Sequence, residues 1–262
     1  MEQDVNKHFI RFYIELNPYF GKIQKISDTI TLCTSDIIKE VDSNVAVIKG
    51  NVLDLGKVEA AFAAVNKVPA VYEIDDQFAG CKELHNNYAV EVRESWLFSR
   101  GIKKLRKKFA RVRVPAEICL EEVNDRNEAH FRKVTDLGFS TQSADNPYSH
   151  LESDWTSEMF NQKRGRLAGV ITPYLIKYGE IYAGAVISAV CESTAYVHGF
   201  TILPEYRRTK AITASLLLID KLIEQGVDTV LCATATGGYP EQLYKKMGLR
   251  HEFSGKIYKK KS

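Results

Sequence analysis

The stretch Leu203–Ala233, "LPEYRRTKAITASLLLIDKLIEQGVDTVLCA", decides how the chain is read. A proline turn leads into Arg207 and Arg208, and small residues follow at Ala211, Thr213, Ala214 and Ser215. The apolar periodicity then predicts a helix from about Lys210 to Gln225, ended by Gly226, and a strand over "VDTVLCAT". Two cations and a run of small side chains at a helix mouth suit an anion that must come close to backbone N–H groups. The first turn of a helix leaves such groups without partners and carries a partial positive charge, so phosphate binds there readily. Arg208 would add a full charge and a forked donor.

Outward from this stretch, the C-terminal half is legible. "AEICLEEV" reads as a strand, and "NDRNEAHFRKVTDLGF" as a helix capped by Asn124 or Asp125 and stopped by Gly138. "SHLESDWTSEMFNQKRG" is a second helical stretch. Three β-rich runs follow, "VITPYLIKYG", "EIYAGAVISAVCES" and "TAYVHGFTIL", joined at Gly179-Glu180 and Glu192-Ser193 as hairpin turns. Simple alternation puts Tyr196, His198, Phe200 and Ile202 on one face of the last strand. Beyond "VDTVLCAT", "PEQLYKKMG" is a short helix with Pro240 in its first turn and Gly248 just past its end. "LRHEFSGKIYKKK" is a last strand region.

Two motifs in this half resemble the GCN5-related N-acetyltransferases. The family's Q/R-x-x-G-x-G/A after a strand and a proline turn reads here Arg208-x-x-Ala211-x-Thr213, and its L-Y-x-x-x-G-F reads Leu243-Tyr244-Lys245-Lys246-Met247-Gly248-Leu249. The resemblance covers roughly residues 117–262. It departs at Ala211 and Thr213, where the family has small, mostly glycine positions, and at Gly237, where the family often has Asn.

The resemblance implies an α/β (α+β) fold that binds acetyl-CoA, as co-substrate, in a V-shaped split between two central strands. Backbone groups at Thr201, Ile202 and Leu203 would pair with the pantetheine arm. Arg208 and the N–H groups of Thr209, Lys210, Ala211, Ile212, Thr213 and Ala214 would hold the pyrophosphate. The chemistry implied is direct attack of a neutral amine on the thioester. Tyr244 matches the family's frequent general acid, and a phenol is a reasonable proton donor to a thiolate. His198 is a candidate base or water-relay residue because imidazole titrates near neutral pH. A packing role is the alternative for each. Tyr148 and Trp155 are candidates to line an acceptor pocket, and the letters do not choose between a small-molecule amine and a peptide amine.

The N-terminal half echoes the C-terminal one. Ala70-Val71-Tyr72 aligns with Thr229-Val230-Leu231 and Leu84-His85 with Leu243-Tyr244, both at an offset of 159 residues. This predicts an internal structural repeat, hence two tandem domains of one fold: residues 1–112 as a degenerate acetyltransferase-like copy and 113–262 as the acetyl-CoA-binding, catalytic one. At that offset Arg208, Ala211 and Thr213 face Lys49, Val52 and Asp54, so the first copy lacks the loop and places an acid where an anion would sit. Its helix from Val58 to Val65 is apolar nearly all round, which predicts burial on several sides.

Composition narrows the alternatives. The chain has 262 residues, 45% of them apolar and 26% charged, with a formal net charge of +3. That balance gives no reason to expect nucleic acid. The basic stretch "GIKKLRKKFARVRVP" at 101–115 reads as a linker or a solvated helix with Ile102, Leu105 and Phe109 on its apolar side, or as an anion-binding segment. No apolar run is long enough to span a bilayer, and the polar, acidic "MEQDVNKHFI" is unlike a secretory leader. Cys33, Cys81, Cys119, Cys191 and Cys232 are odd in number and scattered, which suggests buried thiols in a reducing cytoplasm rather than disulfides or a metal site. The expectation is an N-acetyltransferase, with a non-catalytic acyl-CoA-binding or scaffold protein of the same fold as the alternative; oligomeric state is not legible.

Overall fold

The computed structural model describes residues 22–36, 41–140 and 171–261. The predicted helical stretch at 149–165, with Tyr148 and Trp155, lies outside these residues. The chain forms two compact units: residues up to Trp96 with Thr234–Thr236 and Glu252 onward, and Leu97–Ala233 with Gly237–His251. The last strand of the sequence therefore belongs mainly to the first unit.

In the first unit, β1 (Lys22–Lys25), β2 (Ile30–Thr34), β3 (Val45–Ile48) and β4 (Ala70–Ile74) lie in that order, followed by β11 (Arg250–Lys260). β3 and β4 are parallel, joined by α1 (Leu55–Ala64), and β11 returns antiparallel to β4 with Ile257 opposite Tyr72. Every residue of β2, β3 and β4 is buried, as expected of strands covered on both faces. α1 buries Leu55, Val58 and Phe62 alone. The predicted burial on several sides does not occur, because the remaining apolar positions are mostly alanines, small enough to be left in water. α2 (Lys82–Asn87) leads into β5 (Tyr88–Arg100), which runs into the second unit.

The second unit orders its strands β10-β9-β8-β7-β6: β6 (Ile118–Glu122), β7 (Ile171–Tyr178), β8 (Ile181–Cys191), β9 (Thr194–Ile202) and β10 (Thr229–Ala235). β6 to β9 are antiparallel, and the predicted turns close β7–β8 at Gly179 and β8–β9 at Glu192, both with positive φ. α3 (Ile102–Lys108) and α5 (Ala214–Glu224) share a core with Tyr174 and Val186, into which Ile102, Leu105, Leu216 and Leu222 insert. The first part of the basic stretch, Ile102–Lys108, is thus a helix, and Ile102, Leu105 and its C-cap Phe109 face the core as expected. Arg106 forks onto Asp220 with bonds of 2.7 and 3.1 Å, pinning α3 to α5. Both side chains keep part of their surface in water, so the pair adds at most about 1 kcal/mol and mainly fixes geometry.

α4 (Glu128–Ser140) starts where Asn124 Oδ1 accepts from the Arg126 N–H at 2.9 Å. It does not stop at Gly138. That glycine sits inside the helix, and a Cβ there would overlap the Thr201 side chain. Its role is close packing of α4 on β9 rather than termination. α6 (Tyr239–Met247) has Pro240 in its first turn and ends at Gly248, φ 102°, as predicted.

The offset of 159 residues holds at the level of structure. Leu55 and Ala214 open α1 and α5, and Ala70 and Thr229 open β4 and β10. Among the described residues no helix is long and apolar enough to cross a membrane. Cys33 and Cys232 are buried, and desolvation pushes both thiols up, away from reactivity. Cys119 departs from the expectation: its place on β6 leaves it exposed.

Candidate active site

β9 and β10 pair in parallel only at their start, through Thr194–Tyr196 and Thr229–Leu231. Beyond Tyr196, β9 continues to Ile202 while β10 continues past Leu231, and the two no longer pair. Each strand then presents backbone groups to the gap. This is an opening between central strands of the second unit.

A bulge helps to make it. Between Ile187–His198 and Ala185–Thr201 one residue of β8, Val186, faces two of β9, Gly199 and Phe200. Gly199 takes φ 60°, which a side chain would strain, and the extra residue bends β9. The bulge also overturns the simple alternation. His198 and Thr201 now share a face, with Tyr196 behind them, and Phe200 and Ile202 turn to the other. Sequence periodicity could not see the slip, because one inserted residue leaves the letters looking regular.

His198 stacks on Tyr196 at 5.6 Å between ring centroids, with its Nδ1 3.3 Å from the Tyr196 hydroxyl. Burial pushes its imidazole down to about 4. It is neutral at neutral pH and a weak proton acceptor. Tyr244, on α6, packs against the cluster of α3 and α5 that includes Val197 and Phe200, hence on the face of β9 opposite His198. The structure does not bring the two candidate catalytic residues to one side of the sheet.

The loop Leu203–Thr213 links β9 to α5. The α-helix begins at Ala214, not Lys210, because Lys210–Thr213 forms a 3₁₀ turn first. Thr209 caps that turn: its Oγ1 accepts from the Ala211 N–H at 3.1 Å and donates to the Tyr206 carbonyl at 2.7 Å. One of the N–H groups expected at an anion is therefore already used. Thr213 Oγ1 donates back to the Lys210 carbonyl, and no side chain caps α5. Ala211 and Ala214 are fully buried against Ile118, Ile176 and Ile202. Their smallness serves the core rather than the approach of a ligand, and Ile212 and Thr213 are half-buried beside them.

The two arginines divide their work. Arg207 ties α4 to β9: its Nη2 donates to the Gly138 carbonyl at 3.2 Å and its Nε to the Ile202 carbonyl at 3.0 Å. That carbonyl is thereby occupied, and the Leu203 N–H is bound to Ala183 at 2.8 Å. The side chains of Thr201, Ile202 and Leu203 are buried, so the strand end can offer a ligand little beyond backbone. Arg208, by contrast, lines an open cleft of about 600 Å3 with Lys210, Arg113, Glu117 and Tyr178. Three cations against one carboxylate make this cleft electropositive. Arg113 comes from the basic stretch, which the sequence left open between linker and anion site.

Glu241 was missed. It is 6% exposed on α6, takes the Gly237 N–H at 2.5 Å and pairs with Lys245 at 2.5 Å. The glycine loop before α6 is held by a carboxylate four residues downstream. In the sequence this shows only as a glycine four residues before a glutamate; the structure gives Gly237 φ 80°.

No family model and no curated protein matches the sequence. Solved structures do. A GCN5-related N-acetyltransferase from Kribbella flavida superposes with a TM-score of 0.67 at 11% identity, over 97% of this chain and 95% of its own. A conserved protein of unknown function from Staphylococcus epidermidis gives 0.67 at 12%, over 96% of each chain. A tandem GNAT protein from the clavulanic acid biosynthesis pathway gives 0.56 at 12%, over 88% of this chain and 77% of its own. The chain has the fold of the GCN5-related N-acetyltransferases, tandem members included.

Proposed function

We propose that the chain is an N-acetyltransferase that carries acetyl from acetyl-CoA to a small-molecule or peptide amine, with residues 113–262 as the working half and 1–112 as a degenerate copy. The observation that carries this reading is the opening between β9 and β10 with an electropositive loop at its end. An extended thioester arm suits an unpaired strand edge, and a diphosphate suits Arg208, Lys210 and the start of α5.

In this reading the amine nitrogen bonds to the thioester carbon and the C–S bond breaks. Tyr244 gives its hydroxyl proton to the departing sulfur, and the amine's proton passes to His198 or to water held by it. Buried, unreactive thiols at Cys33 and Cys232 fit a reducing cytoplasm.

One finding favours the second reading, acyl-CoA binding without transfer. His198 is held too acidic to be a strong base, and it lies across β9 from Tyr244. Titration calorimetry with acetyl-CoA tests the binding shared by both readings. Thiol release over an amine panel separates them: turnover with any amine supports transfer, and binding without turnover supports the second.

A further inference from the structure

The segment from Gly101 to Pro115 holds seven cations and no acid, against a net charge of +3 for the whole chain. Arg106 is bound to Asp220. The other six, Lys103, Lys104, Lys107, Lys108, Arg111 and Arg113, are exposed and make no ion pair among the described residues. Several lysines elsewhere are neutralised: Lys25 by Asp28, Lys57 by Asp54, Lys245 by Glu241 and Lys260 by Glu59. α3 also sets Lys103 against Lys107 and Lys104 against Lys108 at four-residue spacing, where like charges repel and work against the helix. The core holds that repulsion in place: Ile102 and Leu105 are buried, and the Ile102 N–H bonds to the Asp228 carbonyl at 2.9 Å. A bare, firmly seated, self-repelling face suits an acidic partner, whose arrival relieves the repulsion.

Two features narrow the partner. The segment ends at Arg113, in the cleft with Arg208 and Lys210, whereas the α3 lysines lie outside that cleft. A body seated on α3 therefore stands beside the loop assigned to the acyl donor. The exposed face of α3 is also built from lysine, not arginine, and its segment carries no exposed aromatic ring. RNA is gripped best by forked guanidinium groups and by rings that stack on bases, whereas ammonium point charges make loose pairs with carboxylates that separate easily. We propose that α3 and Arg111 form the docking face for an acidic carrier protein that brings the acyl group on a phosphopantetheine arm. The inference rests on the acyl-CoA reading and gives it a second kind of donor, the same pantetheine thioester borne by a protein. The amine nitrogen bonds to the thioester carbon, the C–S bond breaks, and the carrier's sulfur leaves as the thiol.

The test is titration calorimetry of the full chain with an acetylated acyl carrier protein, and with acetyl-CoA as the control. The wild type should bind the carrier at low salt and lose it at high salt, because exposed charges are screened. Lys104→Glu combined with Lys107→Glu should weaken the carrier about tenfold or more and leave acetyl-CoA affinity unchanged. Circular dichroism should stay native and Tm should not fall, because each exchange replaces a repulsion four residues away by an attraction. Acid-to-lysine reversals on the carrier's docking helix should restore its binding to the variant. Acetyl-CoA binding without carrier binding, or equal carrier affinity in wild type and variant, overturns the proposal and leaves the acyl-CoA reading intact. Transfer RNA bound more tightly than the carrier, and lost in the same variant, would give the face to nucleic acid and overturn the proposal. Binding of neither carrier nor acetyl-CoA overturns both.

Discussion

The two repeats share a helix and the strand that follows it, and they differ at the loop that leads into that helix. From β3 to α1 the chain needs only Lys49–Asp54, whereas from β9 to α5 it takes Leu203–Thr213. Only Ile48 extends β3 past its last pair with β4, while Val197–Ile202 extends β9 past β10. The helix starts differ in kind. Asp54 turns its own carboxylate onto the Lys57 N–H at 3.0 Å, so the first repeat closes its helix with an internal anion. Thr213 makes no such bond. A shared scaffold thus keeps α-helix and strand in register at 159 residues, and one difference between the repeats falls at the place where a ligand would sit. Loops of this kind can differ while the helix and strand they join keep their register.

The sharpest way to break this comparison is Tyr244, whose counterpart at the same offset is His85. His85 is tied to the Ala79 carbonyl at 3.2 Å and set edge-on to Tyr258. If Tyr244 protonates the leaving sulfur, Tyr244→Phe should cut kcat by about 10²–10⁴ with little change in acetyl-CoA affinity. A loss of affinity with kcat kept would make the ring a packing residue. Arg208→Ala should weaken acetyl-CoA about tenfold or more, measured by calorimetry on folded protein. In the same titration the wild type should show one site per chain, and a stoichiometry of two would erase the distinction between repeats.

Smaller effects sharpen it. Asp54→Ala removes a cap that α5 does without, so it should lower Tm modestly. The Lys57 N–H and then its ammonium hold the Asp54 carboxyl below the usual range. Its contribution is therefore complete above the unfolded pKa and lost as pH falls through the folded one, so wild type and variant should converge in acid. His198 has the same sign. Its folded pKa near 4 lies below the ordinary 6.5, so the unfolded chain takes up a proton first as pH falls. Stability should decline from about pH 6.5 to 4 in urea titrations, more steeply in wild type than in His198→Gln.

Much of this was legible because hydrophobic spacing is local. The strand–helix–strand–helix order, both hairpin turns and the apolar side of α3 follow from nearest-neighbour patterns. What was not legible required knowing what lies across. Ala211 looked like room for a ligand and is room for Ile118 and Ile202. Gly138 looked like a helix end and is a contact with Thr201. His198 looked like a neighbour of Phe200 until the bulge at Gly199 moved it to the other face. Arg113 could be placed beside Arg208 only once the strands were folded, because nothing in their separation along the chain links them.

The loop leading into α5 has a consequence for the life of the protein rather than its chemistry. An anion held by Arg208 and Lys210 on that loop would act as a removable structural part. Ligand at a hundredfold excess over its Kd adds about 2.7 kcal/mol to the folded state. If the proposed acyl-CoA binding holds, the chain should resist proteolysis more when that ligand is plentiful than when it is scarce, so its abundance would follow the supply of the ligand.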